Sequence, residues 1–202
     1  MTQRVVLATR NAKKLAELDR LLKSSGIDAQ ILGSDAFDDL PDIAETGATF
    51  AENAVLKAQA VSTHTGLPAI ADDSGLCVEA LNGMPGILSA RWAGLRADDA
   101  NNLDLVLEQL ADVSDERRAA HFACAAAFVA PGMQTQVTQG RVDGVLLRER
   151  HGSAGFGYDP IFRPDGFDIT TAQMSATEKD AISHRGQAMR ALLPHIVQAL
   201  GR

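Results

Sequence analysis

Apolar positions along the chain recur in two rhythms, and their alternation predicts a mixed order of strands and helices. Residues 4–8 form a short apolar run of buried-strand length, and a polar turn follows it. Next comes a stretch that sets Leu15, Leu18 and Leu22 on one helical face, with Gly26 as its stop. Residues 29–32 resume as a strand. An acidic linker over 35–45 then leads to a second helix at about 50–63, announced by Thr49 and Glu52 at capping-box spacing. Residues 67–72 read as a strand with Pro68 at its start. Ser74-Gly75 reads as a turn, and the apolar run 76–81 closes at Asn82-Gly83.

After a glycine and proline loop at 83–86, Asp98 caps a helix that turns Leu103, Val106, Leu107 and Leu110 inward. Residues 122–129 form a central strand, and Pro131-Gly132 turns the chain into a hairpin. Strands near 135–139 and 142–147 precede the glycine-rich stretch 152–157, and Ile161-Phe162 is a short strand after it. The last helix runs over about 183–200, where Pro194 must kink or split it. The pattern is α/β, with a sheet containing both parallel and antiparallel pairs, and no repeat or linker divides it. A single domain over 1–202 is expected.

Composition narrows the partners. The chain has 202 residues, 46% of them hydrophobic, enough for one core or for one domain with two lobes. A net charge of -7 with no basic run argues against nucleic acid or an anionic membrane surface, while leaving room for a small basic pocket that takes a free nucleotide. No apolar stretch reaches the roughly 20 residues of a membrane span, and residues 1–8 do not form a signal peptide, so a cytoplasmic location is expected. Cys77 and Cys124 lie far apart in apolar settings and read as free thiols. H-E-x-x-H, C-x-x-C, G-x-S-x-G and the Walker loop are all absent. His64, His121, His151 and His195 are scattered and read as structural or solvated.

The candidate chemistry starts at Asp72-Asp73. Adjacent carboxylates closing an apolar strand are costly unless they face a metal or water; the competing reading is a solvated acidic turn. Thr9, Asn11 and Lys14 lie where the first strand gives way to a helix start, and there they form either a phosphate cradle or an ordinary capped helix with a surface lysine. Lys57 points toward phosphates or snorkels, and Glu45, before Thr46-Gly47, is a metal ligand or a loop acid. Phe156 and Tyr158 sit among glycines in a chain with 4% aromatic residues, and are placed either to stack on a base or to fill the core. His184 and Arg185 open the last helix behind Ser183, where positive charge is disfavoured by the helix dipole, a hint of a ligand-facing purpose.

Taken in order, these segments resemble the inosine triphosphate pyrophosphatase family, the Ham1 or RdgB-like enzymes that act on non-standard purine nucleoside triphosphates. The resemblance is carried by Leu7-Ala8-Thr9 with Asn11 and Lys14, Glu45-Thr46-Gly47, Thr49-Phe50, Glu52-Asn53-Ala54 and Lys57-Ala58. It continues through residues 70–76, Pro85-Gly86, Ser89-Ala90-Arg91, residues 155–162, Lys179 and Ser183-His184-Arg185-Gly186. Many relatives have glycine where this chain has Arg10 and Lys13, and no role is assigned to those two residues.

The resemblance implies an elongated mixed sheet flanked by helices, with two lobes, a nucleotide cleft between them and a homodimer. It implies Mg2+-dependent hydrolysis of ITP, dITP or XTP to the monophosphate and pyrophosphate. Asp73 is then the general base, and Glu45 and Asp73 are magnesium-site acids with Asp72 in support. Thr9, Asn11, Lys14 and Lys57 contact the triphosphate. Ser74, Phe156, Gly157, Tyr158, Asp159, Lys179, His184 and Arg185 form the substrate and base-recognition set. Rival readings are a phosphatase releasing orthophosphate, a pyrophosphatase for modified pyrimidine nucleotides and a nucleotide sensor without turnover.

Overall fold

The computed structural model describes residues 3–9, 12–24, 29–96 and 98–200. Its strands are β1 (Gln3–Leu7), β2 (Ala29–Gly33), β3 (Ala69–Val78), β4 (Ala119–Val129), β5 (Gln136–Leu146) and β6 (Phe162–Pro164). The helices are α1 (Ala12–Ser24), α2 (Phe50–Thr65), α3 (Asp99–Gln109), α4 (Ala176–Ile182) and α5 (His184–Leu200). The sheet order is β2-β1-β3-β4-β5-β6. β1 runs parallel to β2 and to β3, and β5 runs antiparallel to β6, so the expected mixed α/β sheet is present. Among the described residues, no helix is long and apolar enough to cross a membrane.

The chain divides into two compact units, the first made of Met1–Asp73, Cys124–Gln139 and Gln187–Arg202 and the second of Ser74–Ala123 and Gly140–Gly186. In the first, one face of the sheet packs Val5, Leu7, Ile70 and Phe128 against Leu18 and Leu22 of α1 and Met189, Leu192 and Ile196 of α5. The helical spacing of those α1 and α5 residues puts them on one stripe each. The other face takes α2 through a cluster of alanines, Ala54 and Ala58 meeting Ala71, Ala125 and Ala127. Side chains this small bring the helix axis close to the strands.

In the second unit, Leu103 and Val106 of α3 and Leu110, which caps its C-terminal end, pack with Leu76, Val78, Leu146, Ile161 and Phe162. Asp98 caps α3 as expected, accepting from the Asn101 N–H at 2.8 Å. Arg118 is buried beside this core because its guanidinium satisfies backbone carbonyls, donating to Leu110 O at 2.7 Å, Leu146 O at 2.8 Å and Leu147 O at 3.1 Å.

Several expectations about local structure are corrected. Ser74-Gly75 is not a turn, since β3 continues through it to Val78. Glycine serves close approach there: a Cβ on Gly75 would lie 2.3 Å from Gly86 O. The two strands expected on either side of Gly140 are one strand, β5, with Gly140 buried inside it. Ile161 belongs to a 3-10 turn, and the short strand begins at Phe162. Pro194 does not split α5, because the stripe Ala188, Met189, Leu192, Ile196 and Leu200 on the core outweighs one missing N–H.

Candidate functional site

The acidic group is built from α2 and β3 in the first unit. α2 starts at Thr49, whose hydroxyl accepts from the Glu52 N–H at 3.1 Å, and ends at Gly66, whose N–H donates to Ser62 O. Its stripe toward the sheet reads Asn53, Ala54, Lys57, Ala58, Val61, so two polar side chains ride on an otherwise apolar face. On β3, alternation puts Ala71 and Asp73 on the face that meets this stripe, and Asp72 on the opposite face with Ile70 and Ser74.

The polar positions meet there. Lys57 Nζ lies 2.7 Å from Glu45 Oε1 and 3.3 Å from Asp73 Oδ1, and Asn53 Nδ2 donates to Asp73 Oδ2 at 3.1 Å. Burial pushes the Asp73 carboxyl above the ordinary carboxylate range; Glu45 pushes the same way, while Lys57 and Asn53 oppose it. Burial pulls the Lys57 ammonium down, yet Asp73, Glu45 and the more remote charge of Asp72 more than offset it, so lysine stays protonated above its usual value. Two acids among the described residues thus share the Lys57 ammonium around a carboxylate more basic than usual. Among the described residues, no three His, Cys, Asp or Glu side chains form a ready metal cage.

A second group lies wholly within the second unit. Asp159, 3% exposed, accepts from the Phe156 N–H at 2.8 Å and from the Thr171 hydroxyl at 2.8 Å, and pairs with Lys179. These bonds hold the loop 155–158 in place. Gly155 has a φ of +81°, and a Cβ there would collide with the Asp159 carboxylate, so the loop requires glycine at that point. The Gly157 N–H donates to Asp99 Oδ2 at 2.8 Å.

The loop leaves the Phe156 ring 46% exposed, with Lys179 Nζ 5.0 Å and Arg185 Cζ 5.8 Å from its centroid, both within cation–π reach. Arg185 also donates to Ser74 Oγ at 3.1 Å. The His184 imidazole lies flat on Phe122, centroids 5.0 Å apart at 11°, and Phe122 in turn meets Phe162 edge-on. A recess lined by Phe122, Asp159, Phe162, Thr171, Lys179 and His184 opens here.

The structure therefore brings Glu45, Lys57 and Asp73 together, and separately gathers Ser74, Phe156, Asp159, Lys179 and Arg185. Tyr158 is placed differently from its neighbour Phe156: its ring is in the core and its hydroxyl donates to Ser89 O at 2.9 Å. Thr9 follows β1, half-buried, and its carbonyl accepts from the Ser34 N–H. Asn11, Gly26, Arg10 and the side chains of Lys13 and Lys14 lie outside the described residues.

Three contacts were not anticipated from the sequence. Asn53 on Asp73 could have been found, because an amide on the apolar stripe of α2 has to be satisfied. Phe122 beneath His184 and Thr171 on Asp159 join distant segments and carry no local signal. α4 was also missed, although Ser175 and Glu178 form a full capping box that starts the helix carrying Lys179.

The Ham1 family profile matches residues 5–195. A dITP/XTP pyrophosphatase of Streptomyces coelicolor is 55% identical over 98% of this chain and 99% of its own length. Among solved structures, a HAM1 protein from Coxiella burnetii superposes with a TM-score of 0.90 at 42% identity, covering 98% of this chain and all of that one. A nucleoside-triphosphatase, also named dITP/XTP pyrophosphatase, from Mycobacterium abscessus gives 0.80 at 49% identity over 96% of this chain and 100% of that one. With the family profile running from β1 into α5 and a relative 55% identical over nearly the whole of both chains, the chain belongs to the Ham1 family.

Proposed function

We propose that this protein is a pyrophosphohydrolase of dITP, XTP and ITP, releasing the nucleoside monophosphate and pyrophosphate. The observation that carries the reading is the buried Asp73 carboxylate, more basic than usual, held by Lys57 and Asn53 beside Glu45. A carboxylate more basic than usual is a better acceptor for the proton of an attacking water. Water adds to the α-phosphorus as Asp73 accepts its proton, the bond to the bridging oxygen breaks, and pyrophosphate leaves.

The acid set fits magnesium, a hard cation that needs only one or two carboxylates when substrate phosphates complete its shell. Glu45 and Asp73 would hold the ion, with Asp72 adding negative charge from across the strand, and the ion would supply neutralisation of phosphate charge. Lys57, joined by Thr9, Asn11 and Lys14, contacts the triphosphate.

Phe156 stacks on the base, with Lys179 beside its ring, and His184 and Arg185 donate to keto oxygens at the base's edge. Ser74 orients Arg185, and Asp159 and Asp99 hold the Phe156 and Gly157 backbone N–H groups in place. Adenine has an amino group at position 6, which would leave a buried donor unpaired, a mismatch worth about 10⁴-fold. We further propose that residues 1–202 act as a single domain, in a cytoplasmic homodimer; sedimentation tests the assembly.

The deciding experiment is a panel of XTP, dITP, ITP, ATP and GTP with magnesium, followed by product identification. Pyrophosphate and monophosphate from the first three are expected. Stepwise orthophosphate release, cleavage of ATP as fast as XTP, or binding without turnover would each overturn the reading.

A further inference from the structure

We infer that Asn53 is a positioning residue for Asp73, its side-chain amide relaying the fixed direction of the Gly47 N–H to one oxygen of the carboxylate. The inference rests on the reading of Asp73 as the acceptor of the water's proton. Asn53 has no solvent exposure and sits on a stripe of α2 where its neighbours Ala54, Ala58 and Val61 are apolar. A buried amide at such a place loses water and gains nothing from packing, so it persists only if its polar atoms are used.

Both ends are used, and each end fixes the other. Asn53 Oδ1 accepts from the Gly47 N–H at 2.8 Å, and Nδ2 donates to Asp73 Oδ2 at 3.1 Å. A backbone N–H can only donate, so the amide oxygen must face Gly47. Its NH2 must then face Asp73. Flipping the amide would set donor against donor at one end and acceptor against acceptor at the other. Asp73 Oδ2 is thereby committed, and Oδ1 is left with Lys57 at 3.3 Å.

A carboxylate held at one oxygen can still swing about its last torsion, whereas one held at both cannot. The contacts also close a ring. Gly47 lies two residues from Glu45, Glu45 accepts from Lys57 at 2.7 Å, Lys57 meets Asp73, and Asp73 returns through Asn53 to Gly47. Asn53 therefore sets the direction of the carboxylate and its distance from the loop that bears Glu45.

The test uses Asn53→Asp and Asn53→Ala in the full-length protein, with Asp73→Asn alongside. Asn53→Asp has nearly the same shape and keeps the acceptor for Gly47, but turns an oxygen toward Asp73. Asn53→Ala removes both contacts and gives the answer should Asn53→Asp not fold. XTP hydrolysis is measured per folded molecule, counted by nucleotide titration. Misaimed by a fraction of an ångström to an ångström, the site should lose about 10- to 100-fold in kcat. KM should change by less than about threefold, because Asn53 bonds Gly47 and Asp73 and itself contacts no part of the substrate.

Turnover within about twofold of the parent in both Asn53 variants, while Asp73→Asn is inactive, would overturn the positioning role. So would a loss confined to KM, or one explained by a fall in the folded fraction. Wild-type turnover by Asp73→Asn would instead remove the underlying reading of Asp73, and with it this inference.

Discussion

Replacing Lys57 with methionine keeps an unbranched side chain of nearly the same length and removes the ammonium that Glu45 and Asp73 share. At an effective dielectric of about 20, unit charges separated by the observed 2.7 and 3.3 Å attract by about 6 and about 5 kcal/mol before desolvation is charged against them. Most of that is returned as the cost of taking three charged groups out of water. The measurable cost of stranding the partners of a buried pair is about 3–5 kcal/mol. Glu45, with 27% of its side chain exposed, can turn partly toward solvent, which points to the lower end, about 3 kcal/mol.

The pH dependence has a defined sign. In the parent, Lys57 has a raised pKa, so its stabilisation is fully present below the ordinary lysine value and is lost only as pH rises through the folded value. Asp73, also raised, loses stability as pH rises from the ordinary carboxylate range. Without Lys57 that second effect grows. Urea unfolding of Lys57→Met and the parent in buffer without divalent cations should show the largest deficit near pH 8, shrinking toward pH 5 as the carboxylates take up protons. A deficit below about 1 kcal/mol at pH 8, the size of an exposed pair, or one that widens on acidification, would refute the reasoning.

Phe156→Ala should raise the KM for XTP about tenfold or more with a smaller change in kcat, the loss of one stacking face; unchanged kinetics would make the ring a packing element. Arg118→Met should destabilise the protein by about 1–3 kcal/mol in urea unfolding, because Leu110 O, Leu146 O and Leu147 O all lose the bond the guanidinium donates; hydrogen exchange should then rise at Leu110 and Leu146. Folded Arg118→Met should keep its turnover, since Arg118 touches nothing in the proposed machinery. The substrate panel gives a further expected ordering, with XTP and dITP cleaved far faster than ATP.

Periodicity made the helices legible where a stripe was long. Leu15, Leu18 and Leu22, and later Leu103, Val106 and Leu110, all land in cores, and Thr49 and Asp98 cap helices where expected. It misled at glycine. Gly75 and Gly140 read as breaks, but both lie inside continuous strands, and at Gly75 the missing side chain marks a place where the strand is crowded. The pairing of Lys57 with Glu45 and Asp73 was not foreseen, because the sequence offers only a lysine on a helix, to be read as phosphate-facing or snorkelling, and its two partners come from a distant loop and strand. Phe122 against His184 depends on β4 meeting the start of α5, a long-range contact that no local pattern encodes.

The unbroken course of β3 through Asp72, Asp73 and Ser74 limits how genes of this kind can diverge. Point substitutions along the strand change one side chain at a time. The loss or gain of a single codon between Ala69 and Asp73 would turn every later residue of the strand to the other face, handing the position of Asp73 to Asp72 or Ser74. Descent can experiment with the identity of residues on this strand, but its length is inherited as a fixed quantity.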